Sequence, residues 1–341
     1  CPGLSVCTQQ PLMTTPFVIT VDTEEEWDWS SGYPTGPTRT ANIHRLPDFQ
    51  TACERHGAAV TYFVNHAVLI DPVARDVILQ LSRRPRVEIG MHIHPWNTPP
   101  LQPVEKVPTR DSFLHNLPPE LAIAKLNTVY AAFRDCGLAP ISFRGGRYST
   151  GPLIQNWLRE RGFVADVSVL PYTRWVDDGA PDYHDRGPQP SRLLGSPPLW
   201  ELPLSLAFTR RPFGFWNRVL STAEKPPLRY LRVVGVLQKL GVFRKSWLNF
   251  ENPFWEGMRA LIRSLLRAHV PYLCFTVHSS SLLLGGSPYA TSPADVDRLF
   301  ARLNDALNWL AGDAAFVPAT IADIARRLEA EHASNRDQPA G

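Results

Sequence analysis

The sequence is poor in several features that would narrow its class at once. It has five cysteines in 341 residues (Cys1, Cys7, Cys53, Cys136, Cys274), with no CxxC pair and no disulfide-framework spacing. That argues against a cross-linked scaffold and fits a reducing compartment. No uninterrupted apolar run approaches the roughly 20 residues needed to cross a bilayer. The formal net charge is only +3, too small for electrostatics to suggest nucleic acid or a membrane as partner. Internal repeats and biased tracts are also absent, so the 33 prolines, about twice the usual share of roughly 5%, are read as long ordered loops. The N-terminus shows neither a basic nor an apolar signal region. A cytoplasmic location is therefore expected, with residues 1–12 as an ill-ordered extension and Met13 as a natural start. A lipidated Cys1 is the sharper alternative.

What is present is the composition of a globular protein, long enough to bury a sizeable core as one large domain or two small ones. Phe17–Asp22 (FVITVD) is a β-branched apolar run and predicts a buried strand. Helical spacing over 43–57 stops at Gly57. Ala59–Val64 predicts a strand, 71–84 a helix, Val87–Ile93 a strand, 95–119 a proline-rich loop and 118–136 a helix. Ile141–Phe143, 151–161 and Phe163–Val169 continue as strand, helix, strand. The rhythm resumes with helix 253–268, strand Tyr272–Val277, helix 293–311, strand Ala315–Val317 and helix 320–332. Such alternation predicts parallel strands with right-handed crossovers, in an α/β barrel or a doubly wound sheet. Residues 175–252 break the pattern and are read as an insertion or cap. Within it 226–243 is amphipathic, with Arg229, Arg232, Lys239, Arg244 and Lys245 flanking apolar residues. A cap helix with a solvated basic face is expected there; a helix lying on a membrane surface is the alternative.

In parallel α/β folds catalytic groups gather at the C-terminal ends of strands, and four predicted strands end in ionisable residues. The first runs into Asp22, Glu24, Glu25 and Glu26; such acids need a cation or a proton-transfer role, unless they only complement a helix N-terminus. The third ends in His92 and His94, which share a face because side chains two apart in a strand point the same way. Two converging imidazoles suit a divalent transition metal such as zinc. The fourth gives Arg144-Gly145-Gly146-Arg147-Tyr148, where Arg144 could hold a carboxylate by a bidentate bond or be a solvated turn residue. The late strand ends in His278, suited to general acid work. Ser279–Ser281 follow it, but no GxSxG elbow surrounds them, so acyl-enzyme chemistry is the weaker reading.

Taken in order, these motifs resemble the NodB-homology polysaccharide deacetylases (carbohydrate esterase family 4), over roughly 17–170 and 253–325. TVDTE stands where that family has TFDDG, MHIHPW where it has a histidine pair spaced by three residues, and RGGRYS where it has an arginine-proline motif. FTVHSS matches its final motif, VTYFV its second strand, and Leu199–Pro203 (LWELP) its return to the sheet. The resemblance implies a distorted (β/α) barrel of about seven parallel strands: a catalytic domain over 16–325, the insertion at 175–252 and a tail at 326–341. It implies Asp22 as catalytic base, His278 as acid, Arg144 orienting Asp22, and a divalent metal, expected to be zinc, on Glu24, His92 and His94, with Asp22 as a further candidate ligand. Asp166 matches the acid that pairs with the catalytic histidine. Trp27, Trp96 and Tyr148, with Trp29 and Trp175, are candidates to stack on a sugar ring. The implied reaction is hydrolysis of acetyl groups, N-acetyl before O-acetyl, on a sugar or polysaccharide. The alternatives are an allantoinase-like amide hydrolase of small molecules and an inactive relative that binds a glycan or a partner protein. The oligomeric state is left open.

Overall fold

The computed structural model describes residues 14–36, 38–175, 179–225 and 243–336. The FVITV run lies in β1, Thr15–Thr23. Its residues alternate between two cores: Phe17, Ile19 and Val21 face one, and Val18 the other. A strand covered on both faces needs no polar alternation, which is why it reads as a continuous apolar run.

The remaining strands are β2 (Tyr33–Pro34), β3 (Val60–Val64), β4 (Val87–Ile93), β5 (Lys106–Val107), β6 (Ser142–Gly145), β7 (Ala165–Asp166), β8 (Ser191–Leu193), β9 (Leu199–Glu201), β10 (Leu206–Phe208), β11 (Lys245–Trp247), β12 (Leu273–His278) and β13 (Phe316–Pro318). Of these thirteen strands among the described residues, nine form one curled sheet in the order β12-β1-β3-β4-β6-β7-β9-β8, with β13 also beside β1. Every pairing in it is parallel except β8 with β9. The gap between β9 and β12 is bridged by residues 248–250: Leu248 N–H donates to the Ser205 carbonyl, Thr276 N–H to that of Leu248, and Phe250 N–H to that of Thr276. The result is the distorted barrel expected.

Helices pack outside this sheet, and their starts follow local chemistry. Asp71 accepts the N–H groups of Val73 and Ala74 at the head of helix Pro72–Leu81, and Ser292 with Asp295 makes a capping box for Pro293–Ala311. Helix His66–Ile70 was not anticipated; it is too short to show periodicity, and Asn65 caps it through the Val68 N–H. The last helix, Ile321–Arg336, runs beyond 332 into the stretch read as a tail, and its Leu328 is buried in the core that also holds Val18 and Phe63.

The 175–252 stretch is partly woven into the barrel. It supplies β8 and β9 to the main sheet, the β10–β11 pair, and helix Phe213–Ala223. Most of the amphipathic 226–243 segment, with Arg229, Arg232 and Lys239, lies outside the described residues. Arg244 stacks on Phe254, and the Lys245 ammonium donates to the Tyr172 carbonyl. Among the described residues no helix is long and apolar enough to cross a membrane.

Candidate active site

The parity of the strands selects what faces the barrel interior. On β1 the even positions Val18, Thr20, Asp22 and then Glu24 point inward; on β12 it is Cys274, Thr276 and His278. Parallel pairing sets Asp22 opposite His278 in register, and His92 opposite Arg144. Asp22, Glu24, Glu25, His92, His94 and Arg144 are all buried.

Glu24, His92 and His94 converge, each offering one donor atom, with these atoms within 4.8 Å of one another. Asp22 stands outside this group. The His92 Nδ1–H donates to the Arg144 carbonyl at 2.7 Å, and the His94 Nδ1–H to Glu25 at 2.7 Å. Both Nε2 atoms therefore face the same point, 3.1 Å apart, with the Glu24 carboxylate 3.1 Å from that of His94. Orientation of ligand imidazoles by a carbonyl and a carboxylate behind them is the arrangement metal sites use. Burial and the charge of His94 push His92 down to about 3. Burial also opposes charge on His94, but Glu25 and Glu24 carry it up to about 10. In this state His94 bears two protons, and its Nε2–H faces the Glu24 carboxylate and the neutral His92, each 3.1 Å away. A divalent cation would replace that proton, and the buried Glu24 Oε1, which has no hydrogen-bond partner, offers a further donor. The donor set fits a divalent ion that accepts nitrogen and oxygen, zinc included.

Asp22 is fixed from the other side. Arg144, fully buried over the Phe63 ring, donates to Asp22 Oδ1 and to Thr20. Burial alone would raise the Asp22 pKa, yet Arg144, His92 and His278 hold it below the usual range, so it is ionised at neutral pH. Its Oδ2 lies 3.7 Å from His278 Nε2. The other ring nitrogen of His278 donates to Glu251 at 2.9 Å, and against its burial the charge of Glu251 raises the ring's pKa to about 10. An ionised carboxylate thus faces an imidazolium across the cavity floor.

The acid behind His278 is Glu251, which corrects the expectation for Asp166. Asp166 lies on β7, several strands away, where it accepts from Ser168 and Thr150. Glu251 follows β11 and reaches β12 directly; Ser281 and Asn249 orient it. Two of the serines after His278 have structural partners: Ser281 donates to Glu251, and Ser279 accepts the Glu24 N–H, while Asn42 donates to both Ser279 and the Glu24 carbonyl.

Above this floor is a cavity of about 350 Å³. Trp27, Trp29, Trp96, Tyr148 and Trp175 all line it, joined by Tyr33, Phe113, Trp247 and Tyr289, which the sequence did not single out. Trp96 is almost fully buried and stacks on His94, with ring centroids 4.1 Å apart. Tyr148 stacks on Trp175. The glycine pair at 145–146 allows close approach: a Cβ on Gly146 would lie 2.4 Å from the Ile93 carbonyl oxygen and 2.7 Å from His94 Cδ2. Glu25 and Glu251 were the main omissions. Glu25 stood in the acidic run with nothing to distinguish it from its neighbours, and Glu251 fell in the stretch that broke the periodicity.

The architecture is that of the NodB-like polysaccharide deacetylases. A protein assigned as a polysaccharide deacetylase from Mycobacterium smegmatis superposes with a TM-score of 0.53 at 16% identity, over 95% of this chain and 94% of that one. Weaker likenesses are to Puue allantoinase (TM-score 0.46, 14% identity, 95% and 93% covered) and to the peptidoglycan deacetylase PdaC from Bacillus subtilis (0.41, 9%, 95% and 98%). No protein-family model and no curated protein matches the sequence.

Proposed function

We propose that the chain is a divalent-metal-dependent hydrolase that removes acetyl groups, N-acetyl before O-acetyl, from a sugar or polysaccharide. The observation supporting this is a single cavity floor that holds both the Glu24/His92/His94 group and the opposed pair Asp22 and His278. A divalent ion held by Glu24, His92 and His94 would supply Lewis acidity and make its water easier to deprotonate. Asp22, ionised and held by Arg144, takes the proton of the attacking water as the water oxygen adds to the acetyl carbonyl carbon. His278, kept protonated by Glu251, gives its Nε2 proton to the amine nitrogen as the C–N bond breaks. The aromatic walls exclude water and offer faces to a sugar ring.

The test is acetate release from N-acetylglucosamine oligomers by metal-loaded protein. Asp22→Asn and His278→Ala should each lose about 10²–10⁴-fold in kcat, the usual contribution of general acid–base catalysis, while retaining one metal per chain. Undiminished release by either variant would refute the assigned roles.

A further inference from the structure

The charge of this chain is unevenly placed. Residues 202–250 hold nine of its 35 Lys and Arg but only one of its 32 Asp and Glu, Glu224, so the remainder is net acidic. The small total therefore hides a local basic excess. Around helix Trp255–Arg267 that excess gathers on one surface. Arg210 and Arg211, which follow β10, line a cavity of about 250 Å³ together with Arg267 at the end of that helix. The Arg211 guanidinium donates to the Arg267 carbonyl, and Thr209 exchanges backbone and hydroxyl bonds with Arg244 at 2.9 and 3.1 Å. Arg263 stands one turn before Arg267 on the same side of the helix. These five arginines are exposed, and among the described residues no carboxylate pairs with any of them. Glu256, on the same helix, is taken up by Arg259 at 3.1 Å. Residues 226–242, outside the described residues, contain no Asp or Glu and so bring no counter-charge.

Two exposed aromatic rings flank the arginines. Phe254 is 57% exposed and carries the Arg244 guanidinium over its face at 5.0 Å. Phe215, on the first turn of helix Phe213–Ala223, is 53% exposed, with the exposed Arg218 one turn further on. Its neighbour Trp216 stacks on Phe243, beside Arg244, which ties that helix to the same surface. A soluble phosphate or a nucleic acid would satisfy the guanidinium groups and leave the rings in water. A surface that is anionic outside and apolar beneath satisfies both. We infer that this face docks the protein on an anionic lipid bilayer, with lipid phosphates among Arg210, Arg211 and Arg267 and the two rings entering the headgroup layer. β11 starts beside Arg244 and ends at Trp247, which lines the active-site cavity, so one short strand separates the docking face from the site. Docking does not depend on the deacetylase reading.

The experiment is flotation of the full chain with vesicles of phosphatidylcholine alone, and of phosphatidylglycerol and phosphatidylcholine in equal parts. Co-flotation is expected with the anionic vesicles at low salt and not with phosphatidylcholine. It should be lost near 1 M salt, where the Debye length falls to about 3 Å. Each arginine near an anionic bilayer is worth about five-fold in affinity. Arg210→Ala, Arg211→Ala and Arg267→Ala together should therefore weaken vesicle binding about 100-fold. Phe215→Ser with Phe254→Ser should weaken vesicle binding while leaving retention on heparin, a soluble polyanion, unchanged. All five positions are exposed, and an unaltered thermal transition checks that each variant folds. The unsubstituted protein supplies a further readout: at matched ionic strength, inorganic phosphate should displace it from vesicles no better than chloride. Absence of co-flotation at low salt, or flotation undiminished by the arginine changes, would overturn the inference. So would vesicle binding that the phenylalanine changes leave intact, or displacement specific to phosphate, either of which would mark a site for soluble anions.

Discussion

At the scale of single residues, β1 ends in three carboxylates with three different surroundings. Asp22 bonds to Arg144, Glu24 faces the histidine pair, and Glu25 sits behind His94 with Asn65 and Asn97 donating to it. The site's protonation has a measurable consequence. His94 is doubly protonated in the metal-free state because its pKa stands near 10, so metal uptake at neutral pH should release about one proton per chain. Calorimetry in two buffers of different ionisation enthalpy measures it; a binding enthalpy identical in both would refute it. Glu251→Gln removes the charge that raises His278. Because the folded pKa exceeds the ordinary 6.5, the stability gained from protonated His278 is fully present below pH 6.5 and is lost as pH rises through about 10. In the variant the basic limb of the pH–rate profile should move to lower pH, and stability at neutral pH should fall. Arg144→Ala strands the Asp22 charge in the interior, and denaturant unfolding should show a loss of about 3–5 kcal/mol.

At the scale of elements, strand parity did most of the work of assembling the site, and parity is legible in a sequence. His92 and His94 two apart, and Asp22 and Glu24 two apart, predict shared faces without any structure. The apolar runs of β1, β3 and β12 were legible because strands buried on both sides carry largely hydrophobic sequence. What escaped had no local signature. Glu251 acts through a loop whose path is set by contacts with a strand more than twenty residues later, whereas β9, among prolines and tryptophans that break any period, was legible only through the resemblance carried by LWELP. The glycine pair after β6 belongs to this scale too. Gly146→Ala must displace the Ile93 carbonyl or the His94 ring, and metal affinity should fall by about 10–100-fold, as when support behind a ligand is lost. Titration with a competing chelator measures this, and unchanged affinity would show that the turn yields without moving His94.

At the scale of the whole molecule, the proposed ligands sit on a sheet whose strands are held by the core and not by an ion. Removal of metal should therefore leave the fold intact while lowering its stability. With free metal at 100 times Kd the expected stabilisation is about 2.7 kcal/mol, seen as a rise in Tm of a few degrees that chelation reverses. The sheet order carries a consequence for how the chain is made. β1, completed by residue 23, has as partners β3 on one side and, on the other, β12 and β13, which begin at residues 273 and 316. During synthesis one edge of the first strand stays open until β12 has emerged, and an open apolar edge invites pairing with other chains. A chain cut short before residue 273 should aggregate, whatever the quality of its first half. Asp22 and His278 meet across that same seam, so the proposed catalytic pair is assembled only when that edge is covered.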